Sequence, residues 1–294
     1  MQPRARRKEC LRRHSKEKPN TCTLARKVIN MIFDTHAHYD DERFDTDRED
    51  ILLSMKEKGV GTIANVSADL KGVLSTLELS RKYSDIYAVL GIHPDGISEL
   101  NDVNFSELKK TISENALYNK GKVVAVGEIG LDYYYPTPDP EIQKLWFAKQ
   151  IDMAVELNLP IVVHSRDACE DTISLLREHN AAKVGGIIHC YAYSVEAAKI
   201  FKKMGFVFGV GGVLTFKNAK KLPEVVDFLS MEDIVLETDS PYLCPVPHRG
   251  ERNDSSFLRF VAQKIAEIKG ISAEDVIEIT QNNARRIYRI NADT

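Results

Sequence analysis

Alternation is the feature that most constrains this chain. From Met31 to Pro241, eight short runs rich in β-branched and other apolar residues are separated by longer stretches with apolar residues three and four apart. The runs are MIFDTH from Met31, GTIANVS from Gly61, DIYAVLGIHP from Asp85, KVVAVGEIGLD from Lys122, PIVVHSR from Pro160, GGIIHCY from Gly185, GFVFGVGG from Gly205 and DIVLETDSP from Asp233. Near-continuous apolarity suits strands covered on both faces, the condition of a parallel sheet. The intervening TDREDILLSMKEKG, PEIQKLWFAKQIDMAVELN and SVEAAKIFKKMG repeat at helical spacing, with Gly59 and Gly205 placed as terminators. Eight strand and helix units close a TIM (β/α)8 barrel, so an α/β barrel of this type is the predicted fold. No linker divides the chain after residue 30, and residues 31–294 are expected to form one barrel domain.

Charge is distributed unevenly. Of the 40 basic and 43 acidic side chains, ten and two lie in residues 1–30, so the remainder carries 30 and 41, or −11. The basic leader lacks the apolar stretch of a secretory signal and a helical stripe, and is expected to be disordered; because Met31 opens the first strand-like run, a misassigned start is the leading expectation, ahead of a basic nucleic-acid-binding arm or a transit sequence. Nowhere do apolar residues run on for the ~18 positions of a membrane span, so no membrane partner is expected. Five scattered cysteines without C-x-x-C spacing argue against a disulfide framework and a thiolate zinc site, and a reducing, cytoplasmic setting is expected.

The unusual polar residues fall at the carboxyl ends of the predicted strands. His36 and His38 follow the first, His93 the third, Glu128 the fourth, His164 the fifth, His189 the sixth and Asp239 the eighth. In a closed barrel those ends converge on one face, where the following loops build the active site. The two-residue spacing of His36 and His38 directs both rings to one side of an extended segment. Imidazoles and carboxylates suit a borderline divalent ion such as zinc or manganese. Seven groups exceed one four-coordinate site, which suggests two ions about 3.5 to 4 Å apart, the arrangement used for phosphoester displacement. Singly, each His has a bland reading as a hydrogen-bonded structural residue, and Glu128 or Asp239 as an ion-pair or turn residue. Together, without a metal, they would bury unpaired polar groups and opposed carboxylates. By contrast, His179 reads as a solvated helix cap, and Cys190 as a packing residue on the other side of its strand from His189.

DTHAHYD, GIHP, GEIGLDYY, PIVVHSRDA, HCY and LETDSPYLCPVPHRGERN, in that order, make the chain similar to the TatD family of metal-dependent deoxyribonucleases within the amidohydrolase-like barrels. The resemblance spans residues 31 to about 290. It implies one ion held by His36, His38, Glu128 and Asp239 and a second by Glu128, His164 and His189, with Glu128 as the bridge. Related hydrolase barrels use a modified lysine there, but the only lysine of the fourth run, Lys122, opens it. The chain departs from the family at HCYAYS, so substrate contacts near Tyr191 are expected to differ.

From these residues we expect a hydrolase that cleaves phosphodiester bonds of DNA through a metal-bound hydroxide, as a 3'-5' exonuclease-like enzyme on single strands or frayed ends. Its cofactors would be two divalent ions, Zn, Mn or Mg. Asp239 is the expected general base, Glu128 the bridge, and His93 the contact to the scissile phosphate or leaving oxygen. The loop PVPHRGERND presents His248, Arg249 and Arg252 as expected phosphate-binding groups, against the bland reading that the arginines pair with Glu251 and Asp254. Tyr133, Tyr134 and Tyr135 are expected platforms for unstacked bases, with core packing of at least one as the plainer alternative. DNA recognition is expected to lack sequence specificity, since no helix-turn-helix, zinc finger or basic recognition helix is visible. Two rival readings stand beside this one: a metal-dependent ester hydrolase such as an aminoacyl-tRNA deacylase, and a non-catalytic metal-binding barrel.

Overall fold

A computed structural model describes residues 31–291, and the leader expected over residues 1–30 lies outside the described residues. Eight parallel strands run in sequence order: β1 (Ile32–Ala37), β2 (Val60–Val66), β3 (Ile86–Leu90), β4 (Val123–Asp132), β5 (Ile161–Arg166), β6 (Gly186–Ile188), β7 (Phe206–Val210) and β8 (Ile234–Leu236). Beyond β8 the sheet meets its own first strand. Asp239 N–H donates to His36 O (2.9 Å) and His38 N–H to Ser240 O (2.8 Å), with a parallel bridge between Ala37 and Ser240. The fold is a TIM barrel.

Helices α1 (Arg48–Ser54), α2 (Leu70–Lys82), α3 (Asp102–Asn115), α4 (Pro140–Glu156), α5 (Cys169–Glu178), α6 (Val195–Lys203) and α7 (Lys221–Phe228) connect successive strands, and α8 (Leu258–Lys269) and α9 (Ala273–Ile287) follow β8. Except for β5, whose last three residues, His164 to Arg166, open toward the rim, the strands are buried along nearly their whole length, because helices cover one side and side chains fill the other. The buried side chains separate into two clusters. One takes Phe33, Ala64, Tyr87, Val124, Val162, Ile187, Val207 and Val235, so that every strand contributes, together with Ile287 and Tyr288 from the chain's end. The larger one joins the alternate strand residues to the helices, and the period-two alternation of a strand is what separates the two.

The longest helix shows how helices position the site. Asp139 caps α4 by accepting from Glu141 N–H, and Pro140 occupies the first turn, where its missing N–H costs nothing. Trp146, Phe147, Ile151 and Ala154 are buried at three- and four-residue spacing, and burial of the large ones contributes roughly 1.5–3 kcal/mol each. Two glutamines lie on the same face, seven residues apart. Gln143 accepts from Asp132 N–H (2.8 Å) and donates to Asp132 O (2.9 Å). Gln150 likewise accepts from Ile92 N–H (2.9 Å) and donates to Ile92 O (3.0 Å). These buried amides pin the exits of β4 and β3, and so place Glu128 and His93 against the same rim.

Strands β6 and β8 end earlier than their apolar patterns suggest. Cys190 and Asp239 sit at positive φ (45° and 59°), which breaks the extended chain just where His189 and Asp239 must turn inward. Gly59 and Gly205 (φ 86° and 82°) end their helical segments as expected.

Candidate metal centre

His36, buried in β1, directs Nε2 to a point where four donors meet. It lies 3.1 Å from His38 Nε2, 3.3 Å from Glu128 Oε2 and 4.0 Å from Asp239 Oδ1. His38 Nε2 closes the figure at 3.4 Å from Asp239 Oδ1 and 3.9 Å from Glu128 Oε2. Four donors each about 2.0–2.1 Å from one ion would stand about 3.3 Å from one another, and the separations here, 3.1 to 4.0 Å, are close enough for His36, His38 and Asp239, with Glu128 beside them, to share one ion. The other carboxylate oxygen of Glu128 faces a second group: His164 Nδ1 at 2.8 Å and His189 Nε2 at 3.7 Å. His189 Nε2 is also 3.8 Å from Asp239 Oδ1, and its ring stacks on that of His36 at 3.6 Å. The six residues implied by the family resemblance thus share one pocket, with Glu128 between two donor sets.

The surroundings are those of ligands held ready for cations. His38 Nδ1 donates to Val66 O (2.8 Å), which leaves Nε2 as the lone-pair nitrogen of the neutral ring. His189 Nδ1 faces Glu237 Oε2 at 3.1 Å, off hydrogen-bond alignment, so both atoms, like His36 Nδ1, are buried without a hydrogen-bond partner. Such unsatisfied groups are uncommon in a finished interior and fit a cage whose charges are balanced by bound ions. Burial alone would raise Glu128, but His189 and His36 beside it hold its carboxyl well below the usual range. Asp239 is likewise kept ionised against its burial, by its hydrogen bond to His38 and the charge of His189. The imidazoles respond in the opposite sense. Burial would lower His38 and His164, yet Asp239 pulls the first up to about 9, and Asp132 and Glu128 pull the second up to about 9. His189 is pushed up to about 10 against its burial, chiefly by the charges of Glu237 and Glu128. Bound cations would take over that positive charge. The donor set therefore fits one or two divalent ions.

His93 reaches the same rim as the N-cap of the turn after β3. Its ring lies 4.3 Å from that of His164, and burial depresses it to about 3, so it is neutral. Because Nδ1 accepts from Asp95 N–H (3.1 Å), the ring proton sits on Nε2. That tautomer makes His93 a hydrogen-bond donor.

Three supporting carboxylates escape a reading confined to metal-ligand patterns. Asp132, two residues beyond Gly130, accepts from His164 Nε2 at 3.0 Å and from Tyr134 N–H at 2.9 Å. Glu237 accepts from Cys190 N–H at 2.6 Å, and its carboxylate fills the space that a side chain at Gly209 would need. Asp34 accepts from Thr238 N–H and Oγ1–H (3.0 and 2.7 Å), His36 N–H (3.2 Å) and Ser255 Oγ–H (2.7 Å), which ties β1 to the turn carrying Asp239. For Asp34 and Glu237 the signal is an acid two residues from His36 or Asp239, as in D-T-H and E-T-D, where the period of a strand brings the acid to that residue's own neighbourhood; Asp132, four residues after Glu128, carries no such signal.

Several expectations need correction. His248, Arg249 and Arg252 do not line the cavities around the cluster. Arg252 forms a two-pronged pair with Asp47 (2.9 and 2.6 Å), rather than with Glu251 or Asp254, and lies over Phe44. Arg249 covers Phe216, and His248 packs on Phe257 while contacting Glu251. These side chains meet the loops around them, Phe44 and Asp47 after β1, Phe216 after β7 and Glu251 and Phe257 after β8, and not the cavity walls. Cys190 is not merely packed on the far side from His189. The left-handed turn there brings it to the wall of a cavity beside the cluster, grouped with His189 and Glu237. Tyr191 is buried, and its hydroxyl is donated to Ser194 O (2.6 Å). Of the three tyrosines, Tyr133 packs on the core with its hydroxyl on Asp171, while Tyr134 and Tyr135 are exposed. His179 caps α5 as expected and contacts Asp152 (2.8 Å). Lys122 stays at the start of β4, bonded to the carbonyls of Tyr83 and Ile86.

The family model described as TatD related DNase matches residues 33–289. The chain is 41% identical to the metal-dependent hydrolase YabD of Bacillus subtilis, over 89% of this chain and all of that one. It is 34% identical to the metal-dependent hydrolase YcfH of Escherichia coli, over 89% and 97% respectively. Its fold superposes on the crystal structure of the Escherichia coli TatD homologue YjjV with a TM-score of 0.81 and 28% identity, covering 90% of this chain and all of that one. The chain belongs to the TatD family of metal-dependent hydrolases.

Proposed function

We propose that this chain hydrolyses phosphodiester bonds of DNA with two divalent cations, zinc, manganese or magnesium. One would be held by His36, His38, Glu128 and Asp239, the other by Glu128, His164 and His189. The observation that carries this reading is the Glu128 carboxylate, with one oxygen toward His36 and His38 and the other toward His164 and His189. When bound, such ions supply Lewis acidity toward phosphoryl oxygens and make water acidic enough to attack at neutral pH. This chain's residues supply the rest. Asp239 is ionised and partly open to solvent, and its Oδ1 lies between His38 and His189, so it takes the proton of the attacking water. Neutral His93 donates its Nε2–H to an oxygen of the phosphate. Glu128 keeps its charge throughout.

Exposed Tyr134 and Tyr135 beside the cluster suit unstacked bases, which supports single strands or frayed ends as substrate, and we propose attack from the 3' end as the direction to test. The test is release of nucleotides from 3'-labelled single-stranded DNA by the metal-loaded protein, and its loss in Glu128→Gln. Release of amino acid from charged tRNA with the nucleic acid intact would replace this reading with ester hydrolysis. No turnover of either, with both ions bound, would leave a metal-binding barrel.

A further inference from the structure

Two cavities flank the cluster, and they differ in charge. One, of about 880 Å³, opens among the loops after β5, β6 and β7, and beyond the cluster and Arg166 its charged lining is Lys220 and Lys221 against Asp167. The other, of about 630 Å³, sets Lys71 against Asp40, Asp41, Glu42, Asp69, Asp95 and Asp132. His164, His189, Asp239 and Arg166 line both, so Arg166 stands where the cavities meet the cluster. Among the described residues its guanidinium makes no hydrogen bond or ion pair. Instead it lies on Tyr134, 3.7 Å from the ring centroid, with Tyr135 at 5.6 Å. Stacking uses the face of a guanidinium and leaves its edge N–H groups free to fork onto two oxygens.

We propose that the larger cavity is the track of the nucleic-acid strand, with Arg166, braced on Tyr134, gripping the phosphate nearest the cluster and Lys220 and Lys221 gripping phosphates further along. This rests on the reading of the chain as a phosphodiesterase and deepens it by assigning the substrate's path. A polyanion laid across the acidic cavity would meet six carboxylates against Lys71 and Arg166, whereas along the larger one it meets Arg166 and two lysines against Asp167. Arg166 touches both cavities, so it serves every substrate. The lysines line only the larger one, so they serve substrates longer than the scissile dinucleotide.

The experiment compares a thymidine dinucleotide and a twelve-residue oligothymidylate, with Arg166→Ala, Arg166→Lys and the double variant Lys220→Ala/Lys221→Ala. Metal content and thermal midpoint are measured first, to establish that each variant is folded. Arg166→Ala is expected to lower kcat/KM about 10- to 100-fold on both substrates, the effect of losing one or two charge-assisted hydrogen bonds, and Arg166→Lys to recover part of it. The double lysine variant is expected to raise KM for the oligomer and leave the dinucleotide unchanged. An independent readout is anisotropy of the labelled oligomer on the metal-free protein. There, the slope of log affinity against log salt should fall by about 0.7 for Arg166→Ala and by about twice that for the double variant. Unchanged salt slopes in all variants, or equal losses on both substrates from the lysine change, would overturn the proposed track. If the wild-type protein cleaves neither substrate, the phosphodiesterase reading fails, and the salt slopes alone decide whether the cavity binds a strand.

Discussion

A methyl group added at Gly209 tests how the second donor set is held. A Cβ at that position would lie 2.0 Å from Glu237 Oε2, 2.4 Å from its Cδ and 2.6 Å from Oε1, all far inside van der Waals contact. Glu237 is 1% exposed and cannot swing into solvent, so either β7 shifts or the carboxylate leaves His189 and the Cys190 N–H. Overpacking of this kind costs about 1–3 kcal/mol. Releasing the Cys190 N–H from its acceptor adds roughly 1–3 kcal/mol. For a barrel of this size the sum corresponds to a fall in thermal midpoint on the order of 5–15 °C. His189 would also lose the carboxylate charge that faces its Nδ1, and loss of such a supporting group lowers metal affinity about 10- to 100-fold. Calorimetric unfolding and metal titration of Gly209→Ala read both quantities. Glu237→Ala supplies the control, because deleting the carboxylate makes room for the methyl group. The double variant should therefore be more stable than the two single losses added together, by more than about 0.5 kcal/mol, the usual limit of additivity. A Gly209→Ala protein that melts like the wild type and loads two ions with wild-type affinity would refute the reasoning, as would strict additivity.

Glu128→Gln, which removes the charge facing both donor sets, is expected to cut bound metal from two ions to at most one by elemental analysis and to abolish hydrolysis. In the metal-free protein His38, His164 and His189, with pKa values near 9, 9 and 10, carry protons at pH 7.5 that the ions displace. Titration calorimetry in buffers of different ionisation heat should report release of more than one proton per chain. Because these three values lie above those of an unfolded chain, the stability they confer is full below about pH 6.5 and disappears as pH rises through about 9–10. The melting temperature of the metal-free protein should then fall over pH 8–10, while that of the loaded protein should not follow it. Arg249→Ala and Arg252→Ala should leave kcat/KM on DNA within about twofold, since Arg252 is paired with Asp47 and neither side chain lines the cavities beside the cluster; a tenfold loss in steady-state assays would restore them as phosphate contacts.

Much of this is legible in the sequence, for physical reasons. A parallel strand buried on both faces must be apolar throughout, so the polar residues at strand ends stand out, and His36, His38, His93, Glu128, His164, His189 and Asp239 all reach one rim. Support residues are harder to see, because Asp132, Glu237 and Asp34 read as ordinary acids until the hydrogen bonds that occupy them are known. Arginines are harder still. Arg166 follows His164 in the same strand and stacks on Tyr134 without a hydrogen bond from its guanidinium among the described residues, whereas Arg252, on a loop that looks like a phosphate grip, is occupied by Asp47 some 200 residues earlier in the chain. Nothing local distinguishes them. The turn at Cys190 is equally silent, since positive φ at a non-glycine residue leaves no pattern in the chain.

The most direct measurement is anomalous scattering from crystals of the protein loaded with manganese or zinc. Two peaks about 3.5 to 4 Å apart are expected, one on each side of the Glu128 carboxylate, with His36, His38 and Asp239 about the first and His164 and His189 about the second. A single peak, or two peaks that do not share Glu128, would contradict the paired-ion centre on which the proposed hydrolysis depends.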